Sequence, residues 1–328
     1  MKKGNYKNIE KQIEKYENIF VFHHIRPDGD CLGAQHGLAL AIRKRFPKKN
    51  TFLIGDTEGA LNFMNFYIDD ESKIDKKYFE NSLAIVVDTA DIKRIQKGDL
   101  ITSGKFSAAI KIDHHPLTNN EEIYTHSWVD TSFVAASEMI GYFLMSNKWE
   151  IDAEIAQYVY LGILTDSGRF LFASTSARTF KVAAFLMKTG FDFAKLNWYL
   201  AKKSQEEIDF TAHVLSNYKK EGKVIWFHVT KRIQDKFKLK EEQAVGVNML
   251  ANIGDNRIWI FFIDTDGMIR VRIRSNGPIV NQIAVEHGGG GHALAAGITI
   301  QKRSQIKQIV DRSVLLVKEF EENENRKQ

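Results

Sequence analysis

Three largely apolar runs in this chain each end in an acid or an imidazole, and that recurrence restricts the folds open to it. Ile19-Phe20-Val21-Phe22 leads into His23-His24, Leu83-Ala84-Ile85-Val86-Val87 into Asp88, and the run from 107 to 112 into Asp113-His114-His115. A strand with one face in water alternates apolar and polar residues. These runs do not, so they read as strands of a parallel sheet covered on both faces. Ligands bind such sheets in the crevice beyond the carboxyl ends of the strands, where these acids and imidazoles stand.

The remaining punctuation fits that reading. Ile9, Ile13 and Tyr16 recur at helical spacing before the first run, and a helix over about 32–46 follows the breaks at Pro27, Gly29 and Gly33 and stops at Pro47. A further strand is expected at 51–54, and helices at about 133–144, 155–164 and 175–188, the second ending in Thr165-Asp166-Ser167-Gly168. At 328 residues the chain exceeds the ~250 that one core usually serves. A charged amphipathic stretch, 191–222, reads as a helical connector between domains of 1–190 and 223–328. In the second domain, strands at 223–230, 257–264 and 268–275 are expected to pair locally, the last two through Thr265-Asp266-Gly267, before a glycine-rich loop and a charged final helix. The expected fold class is α/β: a mostly parallel sheet covered by helices, then a smaller α/β domain.

The net charge of +5, with a sequence pI near 9.0, favours anionic partners. The basic clusters lack the interleaved aromatic residues of a general polynucleotide-binding surface. No run of about 18 apolar residues occurs and the N-terminus is charged, so neither secretion nor membrane insertion is expected and a cytoplasmic location is. Cys31, the one cysteine, cannot form an internal disulfide and reads as a small packed residue.

His24, Asp28 and Asp30 share one loop, Asp88 and Asp113-His114-His115 follow two further strands, and Asp166 ends a helix. Singly, an aspartate at such a place is a turn or cap residue. Together they would concentrate negative charge in one crevice, which requires cations. Oxygen and nitrogen ligands without thiolates suit Mn²⁺, Mg²⁺, Fe²⁺ or Co²⁺ better than a structural zinc. About six ligands can hold two ions roughly 3.5–4 Å apart, bridged by a carboxylate, an arrangement that activates water and stabilises phosphoryl charge. Phosphoester hydrolysis is the implied reaction.

The motifs His24-Ile25-Arg26-Pro27-Asp28-Gly29-Asp30, Val87-Asp88-Thr89-Ala90-Asp91, Asp113-His114-His115 and Gly162-Ile163-Leu164-Thr165-Asp166-Ser167-Gly168, in this order, resemble those of the DHH phosphoesterase superfamily. The resemblance implies that His24 and Asp28 hold one ion, that Asp30, His114 and Asp166 hold the other, and that Asp88 bridges them. It makes His115 a contact for substrate phosphate, Asp113 a support behind it, and two divalent cations, foremost Mn²⁺, the cofactor. Arg94 would join His115 in stabilising transition-state oxygens.

The segment 288–297, containing Gly289, Gly290, Gly291 and His292, is similar to the DHH-associated domain of the exonuclease branch. Its glycines let backbone N–H groups approach an anion, and the nearby Arg270, Arg272, Arg274 and Ser275 offer charged partners. Arg274, Ser275 and His292 match substrate positions of the branch that degrades very short oligoribonucleotides and often dephosphorylates pAp. Relatives often carry serine where Ala34 and Arg272 stand here. The expected partners are thus short single-stranded RNA, dinucleotides or pAp. No protein partner is implied, and a homodimer is left open. Two other readings are a phosphodiesterase of signalling dinucleotides (pApA, cyclic di-AMP) and a nucleotide-binding regulator without turnover.

Overall fold

The computed structural model describes residues 2–117, 122–239 and 246–326. Contacts divide the chain into two units, Met1–Ala201 and Lys202–Gln328, the division falling inside the 191–222 segment.

The first unit runs β1 (Lys2–Lys3), α1 (Tyr6–Lys15), β2 (Asn18–Phe22), α2 (Gly29–Arg45), β3 (Asn50–Ile54), β4 (Ser82–Val87), α3 (Asp99–Thr102), β5 (Ala108–Asp113), β6 (His126–Asp130), α4 (Ala136–Ser146), α5 (Ala153–Asp166), α6 (Ala177–Met187) and α7 (Phe193–Ala201). Its sheet has the order β1-β6-β5-β4-β2-β3. Only β1 is antiparallel to its neighbour. The pleat explains the largely apolar runs. Ile19, Val21, Ile85, Val87, Ile110 and Ile112 enter the core beneath the helices, while Phe20, Phe22, Ala84, Val86 and Ala109 enter a second core on the opposite face. That second face is covered mainly by turns, in a stretch to which the sequence pattern assigns no element. The segment between β3 and β4 forms short 3₁₀ turns at Asn62–Met64, Glu71–Lys73 and Lys76–Phe79, the last of which stacks Phe79 on Phe20 at 5.0 Å. Turns so brief leave no helical period to read.

In register, Val21 pairs with Ile85, and Val87 with Ile112, so the residues that follow β2, β4 and β5 emerge together at one end. The chain passes from β2 outward to β3 and then to β4 on the other side of β2, which opens a crevice at the reversal.

The second unit runs α8 (Gln205–Asn217), β7 (Lys219–Glu221), β8 (Val224–Val229), α9 (Lys231–Lys236), β9 (Ile258–Thr265), β10 (Met268–Ser275), α10 (Asn281–Glu286), β11 (Gly290–His292), β12 (Ala295–Ile300) and α11 (Ser304–Asn325). The sheet order is β11-β12-β10-β9-β8-β7. Two expectations are corrected. β8 lies parallel to β9, so the pairing is not local throughout. The glycine-rich segment is partly an edge strand, because β11 pairs antiparallel with β12. One face packs on α10 and α11, while the other packs β8 and β9 against α8. Among the described residues no helix is long and apolar enough to cross a membrane.

In the first unit α2 and α5 approach closely because α2 carries Gly33, where a Cβ would lie 2.5 Å from the Tyr158 carbonyl oxygen. Helix propensity alone favours alanine there by about 1 kcal/mol. Overpacking against a main-chain atom that cannot rotate away costs about 1–3 kcal/mol or more. Gly33→Ala is therefore expected to lower the urea midpoint at unchanged slope. A raised midpoint would show that propensity outweighs the contact.

Candidate active site

β2 runs straight into His23-His24, and an isolated bridge between His24 and Ile95 fixes the backbone there. The His24 Nδ1 lies 2.9 Å from its neighbour's carbonyl at Ile25, leaving Nε2 for the crevice. Asp28 caps α2 by accepting from the N–H groups of Asp30 and Cys31, which is why that helix starts at Gly29, ahead of the expected 32. Asp30 is buried and accepts from Ala136 N–H at 2.6 Å and Ser137 N–H at 2.7 Å, the start of α4. Asp88 follows β4 in a left-handed backbone (φ 56°), its N–H donating to Ile112 O. A left-handed backbone is uncommon outside glycine, and aspartate is among the residues that adopt it most readily.

These side chains converge around Asp88. His24 Nε2 is 3.4 Å from Asp88 Oδ2 and 3.8 Å from Asp28 Oδ2. His114 Nε2 is 3.3 Å from Asp88 Oδ1, 3.4 Å from Asp166 Oδ2 and 3.8 Å from Asp30 Oδ2. The two oxygens of one buried carboxylate thus face two separate groups of donors. Ligand atoms of His24, Asp28, Cys31 and Asp88 lie within 4.8 Å of one another, as do those of Asp30, His114 and Asp166. Asp88 Oδ1 has no hydrogen bond of acceptable geometry although it is buried. An orphaned acceptor ringed by oxygen and nitrogen donors fits a cation.

His115 is turned differently from His114. Its Nδ1 is 2.8 Å from Asp113 Oδ1, and its N–H also donates to that oxygen. His115 Nδ1 also lies 3.6 Å from Asp88 Oδ1. Behind Asp113 stands Lys111, whose Nζ is 3.8 Å from Asp113 Oδ2, both side chains fully buried. Sequence reasoning absorbed Lys111 into an apolar run. The available signal was its i, i+2 spacing to Asp113, which puts both on one face of a strand. Cys31, read as a packing residue, is buried but also joins the His24 donors. Arg94 closes the turn Ile92–Arg94. Its carbonyl accepts from Ile25 N–H at 2.7 Å while the residue itself is exposed.

Electrostatics follow from this crowding. Burial opposes charge on His24, but the hydrogen bond to Asp88 outweighs it and raises the pKa to about 12. The same opposition at His114 ends at about 10. Asp88 is pulled well below the usual carboxylate range: burial alone would raise it, and the two imidazoles prevail. Burial and then the Asp88 charge lift Asp30 to about 7, and burial with Asp30 lifts Asp166 well above its ordinary value. Without cations, the centre retains protons.

In the second unit β10 alternates strictly. Ile269, Val271 and Ile273 are buried against the helices, while Arg270, Arg272 and Arg274 share the other face, half-buried. Ala295 pairs with both Arg274 and His292, and Gly297 with both Arg272 and Gly290, so these groups form rows on one face. Burial, and then the Arg272 charge, lower the Arg274 pKa to about 10. Ser275 is buried and donates to Pro278 O, which commits its hydroxyl to the turn. Gly289 and Gly291 have a packing reason for lacking side chains, since a Cβ would strike the β12 carbonyls of Gly297 and Ala295.

Residues 18–163 match the DHH family, N-terminal domain, and 238–319 the DHHA1 domain. The chain is 38% identical over 312 residues to the bifunctional oligoribonuclease and PAP phosphatase NrnA of Mycoplasma genitalium, covering 94% of this chain and 97% of that one. It is 35% identical to the NrnA of Bacillus subtilis, covering 95% and 98%. An exopolyphosphatase-related protein from Bacteroides fragilis shares the fold, with a TM-score of 0.83 at 22% identity over 94% of this chain and 95% of that one.

Since His24 and His114 must lose protons to become ligands, divalent cation binding is expected to release on the order of two protons near neutral pH and to tighten as pH rises. Calorimetric titration with Mn²⁺ in buffers of different ionisation enthalpy measures that number. Binding without proton release would contradict the electrostatics above.

Proposed function

The chain belongs to the DHH family of phosphoesterases, and on that premise we propose that it hydrolyses very short oligoribonucleotides to mononucleotides and removes a phosphate from pAp, in the cytoplasm. The observation that carries this reading is the split of Asp88, with Oδ2 toward His24 and Asp28 and Oδ1 toward His114, Asp30 and Asp166. Two divalent cations, most simply Mn²⁺, would be held by these two sets with Asp88 shared. When bound, they supply Lewis-acid polarisation of the phosphoryl group and lower the pKa of a water.

The chain's own residues do the rest. Asp113, backed by Lys111, engages Nδ1 of His115 and leaves Nε2 as the nitrogen for a phosphoryl oxygen. Arg94 is tied by its carbonyl to the His24 loop, and we assign its guanidinium to charge developing in the transition state. The α4 N-terminus holds Asp30 in one orientation, so the acids do not turn away when substrate enters. We assign binding of a non-reacting phosphate to Arg274, with Arg272, His292 and the glycines at 289–291. A non-catalytic regulator has little reason to keep four carboxylates crowded at such electrostatic cost.

Asp88→Ala is expected to reduce hydrolysis of pApA in Mn²⁺ to background, and wild-type rates in that variant would refute the assignment. Arg274→Ala removes a charged hydrogen-bond donor and should raise KM by about ten- to a hundredfold while changing kcat less. An unchanged KM argues against the second-unit site. Rates on pAp, pApA, a pentanucleotide RNA and cyclic di-AMP separate the oligoribonuclease reading from that of a signalling-dinucleotide phosphodiesterase, which predicts that pApA or cyclic di-AMP is cleaved and the pentanucleotide is not.

A further inference from the structure

Asp166 is the last residue of α5, and the chain leaves it through a strained backbone. Gly168, Arg169 and Phe170 all lie in the left-handed region, with φ of 56°, 60° and 65°. Glycine adopts it freely, but arginine and phenylalanine do so at a conformational cost. The turn is held by hydrogen bonds back to the helix end. Arg169 N–H donates to Leu164 O at 2.8 Å, Phe172 N–H to Ser167 O at 3.0 Å, and Phe170 N–H to Ser167 Oγ at 2.9 Å. Strain persists only where the surroundings over-determine it, and it gathers at functional sites.

What this turn presents is apolar. Phe170 packs against the core of the first unit and stacks on Phe180 with centroids 5.3 Å apart. Leu171 and Phe172 instead meet solvent, 84% and 50% exposed. The Phe172 ring lies against the backbone of Gly168, where a Cβ would be 2.5 Å from ring atom Cε1. The ring is thus a seated aromatic face on a turn that begins beside Asp166. The one charged side chain of the turn, Arg169, donates to the Leu200 carbonyl at 2.9 Å. The exposed tip, Leu171-Phe172-Ala173, carries no polar side chain to read a hydrogen-bonding edge. Its chemistry complements the π-face that every nucleobase has.

We propose that the 168–172 turn is a nucleobase platform, on which the base next to the scissile phosphate stacks on Phe172 with Leu171 at its edge. The proposal rests on the reading of this chain as a phosphoesterase of short oligonucleotides and adds how such a substrate is gripped without regard to base identity. Phe172 contributes binding and takes no part in bond breaking.

The test compares the wild type with Phe172→Ala, Phe172→Leu and Phe172→Trp, in Mn²⁺, on pApA and on the same dinucleotide without its bases. Phe172→Ala lowers the ratio of kcat/KM for pApA over the base-free analogue by about ten-fold. Phe172→Leu keeps an apolar contact with Gly168 but has no flat face, and it loses the same preference. Phe172→Trp retains it. Fluorescence of a dinucleotide containing 2-aminopurine is quenched on binding by the wild type and the Trp variant and not by the Ala variant. An unchanged ratio in both Phe172→Ala and Phe172→Leu, or a loss that accompanies a change of oligomeric state, overturns the platform. If the wild type cleaves neither compound, the functional reading itself fails and the platform with it, a result visible before any variant is compared.

Discussion

Everything in the first unit is arranged around carboxylates that repel one another. Two like charges about 4 Å apart cost about 4 kcal/mol at an effective dielectric near 20, and Asp28 with Asp88, like Asp30 with Asp166, brings carboxylate oxygens within 4.8 Å of each other. The fold offsets part of this with main-chain dipoles: Asp28 caps α2 and Asp30 sits on the first N–H groups of α4. A hydrogen bond to a charged group contributes about 1.5–3 kcal/mol, so two helix ends can anchor two acids. Asp166 has the opposite situation. It ends α5, where the helix dipole disfavours a carboxylate. Nothing in folding stability calls for an acid there, and a cation does.

The parallel sheet was legible because burial on both faces erases alternation, and the site was legible because acids and imidazoles followed those strands. The same erasure hid Lys111. In a strand with no polar side, one lysine gives no contrast, and only its pairing with Asp113 gives it meaning. Cys31 is buried and bonded within the α2 cap, as a packed residue is, and its placement near His24 shows only in three dimensions. The turns over the second sheet face, the parallel β8–β9 pair and the short edge strand β11 depend on contacts distant in sequence or on elements too brief to carry a period.

The glycine run shows two demands converging on one sequence. Gly289 and Gly291 lack side chains because β12 carbonyls occupy the space, a requirement of strand packing. At Gly290 a Cβ would meet nothing within 4 Å, so packing does not explain that glycine. It stands in the row that continues through Gly297 to Arg272, where neither glycine sets a side chain beside the arginine. An anion approaching that row meets guanidinium groups instead of aliphatic cover.

The two units gather charge of opposite kinds. Acids in the first are crowded enough that Asp30 and Asp166 resist ionisation, and burial in the second weakens the hold of Arg274 on its proton. Each arrangement is held by structure that stability alone would not select.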